Sequence, residues 1–190
     1  MELSVIFFLA LLALLGLTRL AELGISRRHQ RQLARRNIGR RFDPRYPWMV
    51  ALHAGVLAGA ALEVIWLRRP FVPALAAPAA ALFLLATGLR WWAIRSLGAH
   101  WNVQVMDSAS LGVVATGPFR WVRHPNYLGV FIEMAAAPLI HTAWITALLG
   151  AAGNAWVLRN RLRVEEAVIE AHPQYRAAMS GKPRFWPRIF

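Results

Sequence analysis

The 190-residue sequence contains no cysteine. Disulfides, thiolate zinc sites and a cysteine nucleophile are therefore excluded. Acid is scarce as well: nine Asp and Glu stand against 22 Lys and Arg, for a formal charge of +13. Lysine is nearly missing, since Lys182 is the one lysine and arginine supplies the rest. Charged residues of all kinds reach only 16%, against about 25% in a soluble domain. Hydrophobic residues make up 57%, and mean hydropathy is +0.39. A disordered chain is poor in apolar residues, so disorder is excluded, and an ordinary soluble globule fits poorly. The length suits one domain, residues 1–190. The composition predicts an all-α, polytopic integral membrane protein.

Other signals are missing too. There is no Gly-rich phosphate loop and no dinucleotide fingerprint. No His/Asp/Glu cluster has metal-ligand spacing, so no metal is expected. No internal repeat or low-complexity segment is present.

What is there is a set of long apolar runs divided by arginine. The first run, Leu3 to Ile25, is long enough for a bilayer core, which needs about 20 residues. It lacks a basic n-region and a small-residue cleavage site, so it reads as a retained helix. Near its end Arg19 and Glu22 share a helix face, as an interface ion pair or as the polar lining of a cavity. The segment 26–47 is a basic loop ending in Asp43-Pro44-Arg45-Tyr46-Pro47. A second helix is expected from Trp48 to Leu67 and contains His53 and Glu63. Glu63 is placed near the far interface, and His53 reads as a satisfied helix histidine. A third runs from Val72 to Leu97, with Arg90, Trp91, Trp92 and Arg95 forming an aromatic and basic belt. Residues 98–123 read as an ordered loop. A fourth helix starts at Pro125, where a missing N–H costs nothing, and ends near Pro138. After a turn at Ile140 to Thr142, a fifth runs from Ala143 to Leu158 and continues as a charged helix to about Glu170. His172-Pro173 breaks it, and an amphipathic tail ends in Lys182-Pro183-Arg184-Phe185-Trp186-Pro187-Arg188.

The expected architecture is thus about five transmembrane helices, the last two a helical hairpin, plus a cytoplasmic C-terminal helix. Residues 1–97 hold the first three spans and the loop 26–47. Residues 98–190 hold the motifs described next. Eight arginines lie between Arg27 and Arg45, beside an apolar run. That is the mark of a loop at a membrane surface, not of a nucleic-acid face. Membrane lipids are expected partners and nucleic acid is not. The positive-inside rule puts this loop, Arg120 and Arg123, and the tail from Arg159 in the cytoplasm, with the N-terminus outside. The sequence carries no signal for the oligomeric state.

Two polar clusters fall on the cytoplasmic side. In the first, Arg123 and His124 directly precede the helix that begins at Pro125. The free N–H groups of a helix start suit an anion, and Arg120, Arg123 and His124 add to that. Tyr127 shares a helix face with His124, and Gly129 would let a backbone or a flat ring come close. The alternative is that these arginines snorkel to lipid headgroups. In the second cluster Arg161 and Glu165 are four apart on one face. Glu166 lies about 100° round. The pair is a solvated one, or the two carboxylates meet a cationic ligand or its ribose hydroxyls.

The run Gly117-Pro118-Phe119-Arg120-Trp121-Val122-Arg123-His124-Pro125-Asn126-Tyr127-Leu128-Gly129, followed after the hairpin by Arg161-x-x-x-Glu165-Glu166, resembles the isoprenylcysteine carboxyl methyltransferase family. These are integral-membrane enzymes that use S-adenosylmethionine. The resemblance implies that His124, Pro125, Tyr127, Gly129, Glu165 and Glu166 contact that cofactor, with Gly117 and Arg120 at the start of the motif beside them. It implies that Arg123 and Arg161 stand near the reacting centre. The run Arg19 to Glu22 through Ser26-Arg27-Arg28, then Tyr46-Pro47, His53, Glu63, Asn126, Glu133 and Pro183-Arg184-Phe185, is similar to a bacterial branch associated with type III polyketide synthases. That branch methylates long-chain alkylpyrones or phenolic lipids. The implied activity is O-methylation of a lipophilic acceptor that enters from the bilayer, in the bacterial inner membrane with the site facing the cytoplasm. A carboxylate or hydroxypyrone acceptor is already anionic and calls for an arginine. A simple phenol calls for a base, for which His124 is the nearest candidate. Carboxyl methylation of prenylcysteine, an NADPH-dependent membrane reductase of steroid 5-alpha-reductase type, and a non-enzymatic membrane scaffold remain as alternatives.

Overall fold

The computed structural model describes residues 2–107 and 111–186. In chain order the helices are α1 (Leu3–Ala34), α2 (Tyr46–Trp66), α3 (Pro73–Leu97), α4 (Pro125–Leu139), α5 (Trp144–Glu170) and α6 (Pro173–Met179). Among the described residues there is no strand; Arg40 and Met106 form an isolated antiparallel bridge. Pro187 and Arg188 of the expected tail lie outside the described residues.

Proline sets most of the starts. Pro47, Pro73, Pro125 and Pro173 each occupy the first or second helical position, where φ is already suitable and no amide is wasted. The α1 boundary differs from the sequence reading. The helix does not stop at Ile25 but runs on to Ala34, into the segment expected as loop. No glycine or proline interrupts residues 25–38, and Arg, Gln, Leu and Ala are good helix formers. Polarity marked the end of the apolar run, not the end of the helix.

Leu3–Ala34, Tyr46–Trp66 and Pro73–His100 are each long and apolar enough to cross a bilayer. The expected hairpin is present as α4 and α5, joined at Ile140–Ala143. Its first arm has 15 residues, a length of about 22 Å, short of the ~30 Å hydrocarbon core. Large apolar side chains such as Phe7, Leu17, Leu84, Leu85, Leu148 and Leu149 are exposed around the bundle. Exposed Trp66 and Trp144 mark one end, and Trp48, Trp92, Trp121 and Trp156 the other. This is the aromatic distribution of the two bilayer interfaces.

Small residues bring the helices together. A Cβ on Gly129 of α4 would stand 2.4 Å from Arg90 Cγ and 3.0 Å from the Ala86 carbonyl of α3. Gly150 and Gly153 of α5 meet Val56 and Leu52 of α2 in the same way, at 2.8 and 2.7 Å. Close backbone approach of this kind is how helices pack where apolar burial gives no drive.

Polar bonds fix the register of the antiparallel α2–α5 pair. Glu63 accepts from the backbone N–H of Ile145 (3.2 Å) and Thr146 (2.8 Å), from Thr146 Oγ1 (2.7 Å) and from Arg69 Nε (3.0 Å). It thereby caps the first turn of α5, whose amides have no partner within the helix. At the other end Arg161 Nη1 stands 3.7 Å from Met49 Sδ and 3.6 Å from Asp43 Oδ2.

Candidate functional site

The turn before α4 is built by the tail. The N–H groups of Arg123 and His124 donate to the carbonyls of Pro183 and Arg184, both at 2.9 Å. Lys182 Nζ donates to the Phe119 carbonyl at 2.8 Å. The backbone just ahead of Pro125 is thus paired with residues about 60 positions later. The His124 ring stacks on Tyr127, with centroids 5.6 Å apart. It also faces Phe185.

Glu166 is the hub beneath this turn. Arg184 binds it by two bonds, and His124 Nε2 (3.2 Å) and Arg123 Nη1 (3.3 Å) approach the same Oε1. Burial raises the affinity of this carboxyl for a proton. The hydrogen bonds from Arg184 and His124 and the charges of His124 and Arg123 outweigh that and hold it below the usual carboxylate range.

Tyr127 connects the two motifs. Arg161 Nε donates to the Tyr127 hydroxyl at 2.7 Å, and that hydroxyl donates to Glu165 Oε2. The sequence suggested a direct helix pair between Arg161 and Glu165. Instead a phenol from the neighbouring helix stands between them.

These groups form one end of a cavity of about 470 Å³. Arg123, His124, Tyr127, Arg161 and Glu165 line this end, with Tyr175 of α6. Leu97 and residues 100–106 form a further wall, called the roof of the cavity. The overlong α1 and the stretch after it hold that roof in place. Ser26 Oγ accepts from the Val103 N–H at 2.9 Å, His29 Nδ1 lies 2.8 Å from the Trp101 carbonyl, and the Arg41 N–H donates to the Val105 carbonyl at 2.9 Å. The apolar part of the wall is Leu20, Leu23, Val50, Ala54, Leu57 and Val130. Leu20 is 64% and Val50 43% exposed. The wall between α1 and α2 is therefore also a surface at bilayer depth.

The inner end is charged and balanced. Glu133 Oε2 accepts from Arg19 (2.5 Å) and Arg90 (3.0 Å), and Glu22 accepts from Arg19 (2.8 Å) and Arg90 (2.9 Å). Thr87 Oγ1 donates to Glu133 Oε1 at 2.7 Å. Two guanidiniums and two carboxylates alternate around a square that ties α1, α3 and α4. Charges in such a place survive only when paired. Arg19 and Glu22 do pair, but within this buried square, and they line the cavity as the second sequence reading had it.

Of the residues expected at the site, Arg123, His124, Tyr127, Glu165 and Arg161 come together on the cavity wall. The others lie off it. Glu166 faces its three cations, and Pro125 is buried at the helix start. Gly129 makes room for Arg90 rather than for a ligand. Gly117, at φ +58°, turns the chain against Ser96 and Trp92. Arg120 is exposed over the Trp121 ring. Among the polar side chains on the wall that the sequence analysis gave no role at the site are His53, Asn154 and the amide of Asn126. A polar residue inside an apolar helix was the available signal for the first two. His53 bonds the Met49 carbonyl.

Three comparisons place the chain. The family described as isoprenylcysteine carboxyl methyltransferase (ICMT) matches residues 79–171. An uncharacterized protein of Bacillus subtilis (strain 168), YpbQ, is 29% identical over 166 residues, covering 87% of this chain and 98% of that one. The solved structure of the eukaryotic intramembrane Ras methyltransferase ICMT superposes with a TM-score of 0.55 at 20% identity. That match covers 69% of this chain and 48% of the other, so the chain spans about half the length of this solved relative and shares its fold. Residues 79–171, which carry the hairpin and both motifs, are thus similar to the isoprenylcysteine carboxyl methyltransferase family, and the fold is shared with its solved eukaryotic member.

Proposed function

We propose that the protein is an S-adenosylmethionine-dependent O-methyltransferase acting in the bacterial inner membrane on a lipophilic acceptor, a long-chain alkylpyrone or phenolic polyketide lipid. The observation that carries this reading is the two-ended cavity. One end holds a carboxylate, a phenol and two guanidiniums, and the other combines a closed set of paired charges with apolar side chains of α1 and α2, of which Leu20 and Val50 are exposed. Its size lies within the range of small-molecule sites.

The donor set fits the cofactor. Glu165 suits ribose hydroxyls or an ammonium group, and Arg123, whose buried Nε has no hydrogen-bond partner, suits a carboxylate. When bound, S-adenosylmethionine supplies an electrophilic methyl group on a sulfonium. Glu165 and Tyr127 bind and orient it, and the roof excludes water. Arg161 is held by Tyr127 and Asp43 and so keeps a fixed position beside the acceptor oxygen.

The family description favours a second reading, carboxyl methylation of prenylcysteine. The experiment that separates the two supplies methyl-labelled cofactor to the purified protein with an alkylpyrone, an alkylresorcinol and a prenylcysteine side by side. Label on a polyketide lipid supports the first reading, and label on prenylcysteine alone replaces it with the second. Glu165→Ala is expected to weaken cofactor binding about tenfold; unchanged affinity would remove Glu165 from the site.

A further inference from the structure

We propose that the middle of the cavity is a head-group site for an uncharged, hydroxyl-bearing acceptor, with His53 Nε2 as the proton acceptor and the amides of Asn126 and Asn154 holding the flanking oxygens. The inference rests on the methyltransferase reading and names the chemistry of its acceptor.

The first observation is the charge pattern. Every guanidinium on the cavity wall already has a carboxylate. Arg19 and Arg90 share Glu22 and Glu133, Arg123 meets Glu166, and Arg161 faces Asp43 and reaches Glu165 through Tyr127. Arg123, which shares Glu166 with Arg184, is taken up by the carboxylate of the cofactor, and the other three are committed to their own carboxylates. A carboxylate acceptor placed here would add an unmatched negative charge.

The second observation is the state of the neutral polar groups. Asn154 is 1% exposed, and its Nδ2 has no hydrogen-bond partner; the Oδ1 of Asn126 is likewise buried and unpartnered. An idle amide within a membrane bundle is costly, so two on one cavity point to a ligand that completes them. The two also lie at similar depth. Counted from the hairpin turn, Asn126 is 13 residues back from Leu139 and Asn154 ten on from Trp144. At 1.5 Å per residue they differ by about 5 Å.

The third observation is the orientation of His53. Its Nδ1 lies 2.7 Å from the Met49 carbonyl, one turn back on α2. A carbonyl only accepts, so Nδ1 carries the proton and Nε2 presents a lone pair. Nε2 has no partner among the described residues, and His53 lines the cavity. Leu52 packs on Gly153, which sets His53 and Asn154 one residue beyond a contact between α2 and α5. The ionic groups nearest the ring are Arg19 and Glu22 on α1, Arg90 on α3 and Glu133 on α4, which are paired with one another. His124, the base expected from sequence, has its Nε2 beside Glu166.

The step is a proton transfer. The acceptor's O–H bond breaks, the electron pair stays on oxygen as it becomes the nucleophile, and the proton moves to His53 Nε2. Water later takes the proton from the imidazolium.

The test compares two phenolic lipids of equal chain length, an alkylresorcinol and a nitro-substituted analogue whose hydroxyl ionises near neutral pH. His53→Gln and His53→Ala are expected to lower kcat on the alkylresorcinol by at least about 30-fold and on the acidic analogue by less than about threefold. Asn154→Leu is expected to weaken binding of both lipids about tenfold, read by tryptophan quenching without turnover. Calorimetry with S-adenosylmethionine alone verifies that the variants are folded. Equal losses on both lipids, or none on either, would overturn the role of His53. Turnover confined to carboxylate acceptors would overturn the site. Should the wild-type protein bind no S-adenosylmethionine, the methyltransferase reading falls on its own; lipid quenching unchanged by Asn154→Leu would then overturn the head-group site separately.

Discussion

Arg184 grips Glu166 with two parallel bonds, Nε to Oε1 at 2.9 Å and Nη2 to Oε2 at 2.6 Å, across 18 residues of sequence. The guanidinium is half exposed and the carboxylate is buried. This pair closes a loop in which the tail carbonyls hold the turn that presents Arg123 and His124.

Removing the acid should therefore hurt more than removing the base. Glu166→Gln leaves His124 and Arg123 without their counter-charge and is expected to destabilise the protein by about 3 kcal/mol. Arg184→Met, at an exposed guanidinium, should have the smaller effect, about 1 kcal/mol. Thermal melts in detergent measure both.

The pH dependence of the same hub has a definite sign. The Glu166 carboxyl lies below its ordinary 4.5 in the folded protein. Its contribution is complete above that value and is lost as acid protonates it through the lower folded value. Melting temperature of the wild type is expected to fall below pH 4.5, with a shallower fall in Glu166→Gln.

Gly129→Ala tests the reassignment of a motif glycine from ligand contact to helix packing. The added methyl group would stand 2.4 Å from Arg90 Cγ and 3.0 Å from the Ala86 carbonyl. A loss of about 2 kcal/mol is expected, with cofactor affinity per folded molecule unchanged. Full stability with weakened cofactor binding would return Gly129 to the site.

The charged square makes a further prediction. Glu133→Gln leaves Arg19 and Arg90 with Glu22 alone and should cost about 3 kcal/mol or prevent accumulation in the membrane. Arg90→Met combined with Glu133→Leu removes one charge of each sign and should be milder. A cycle of the two single variants and the double, read by thermal melts, measures the coupling.

Much of this was legible in the chain. Proline located the start of α4 and the end of α5, though the helix α6 that begins at Pro173 was read only as an amphipathic tail, and the run from Arg123 to Gly129 with Arg161 to Glu166 carried the resemblance and marked five residues of the cavity wall. What was hidden were relations between distant helices. Nothing in the spacing of Arg161 and Glu165 announces that Tyr127 enters between them. Gly129 looks permissive in one dimension and is filled by Arg90 in three. The end of α1 was misjudged because polarity and helicity separate where a helix leaves the bilayer. His53 and Asn154 were visible as polar residues in apolar helices, but their partners, or lack of them, belong to the packed bundle.

The neutrality of the cavity has one more consequence. A chain of net charge +13 carries many of its unmatched arginines outside, on the extension of α1 and the loop after it. Ionic strength should thus act on two properties separately. Added salt screens the attraction of that basic surface to anionic lipid within a Debye length of about 8 Å. It leaves the enclosed groups, each held against a partner of opposite charge, almost untouched. How firmly the protein sits on its bilayer and how well its chamber holds a ligand can then be tuned independently.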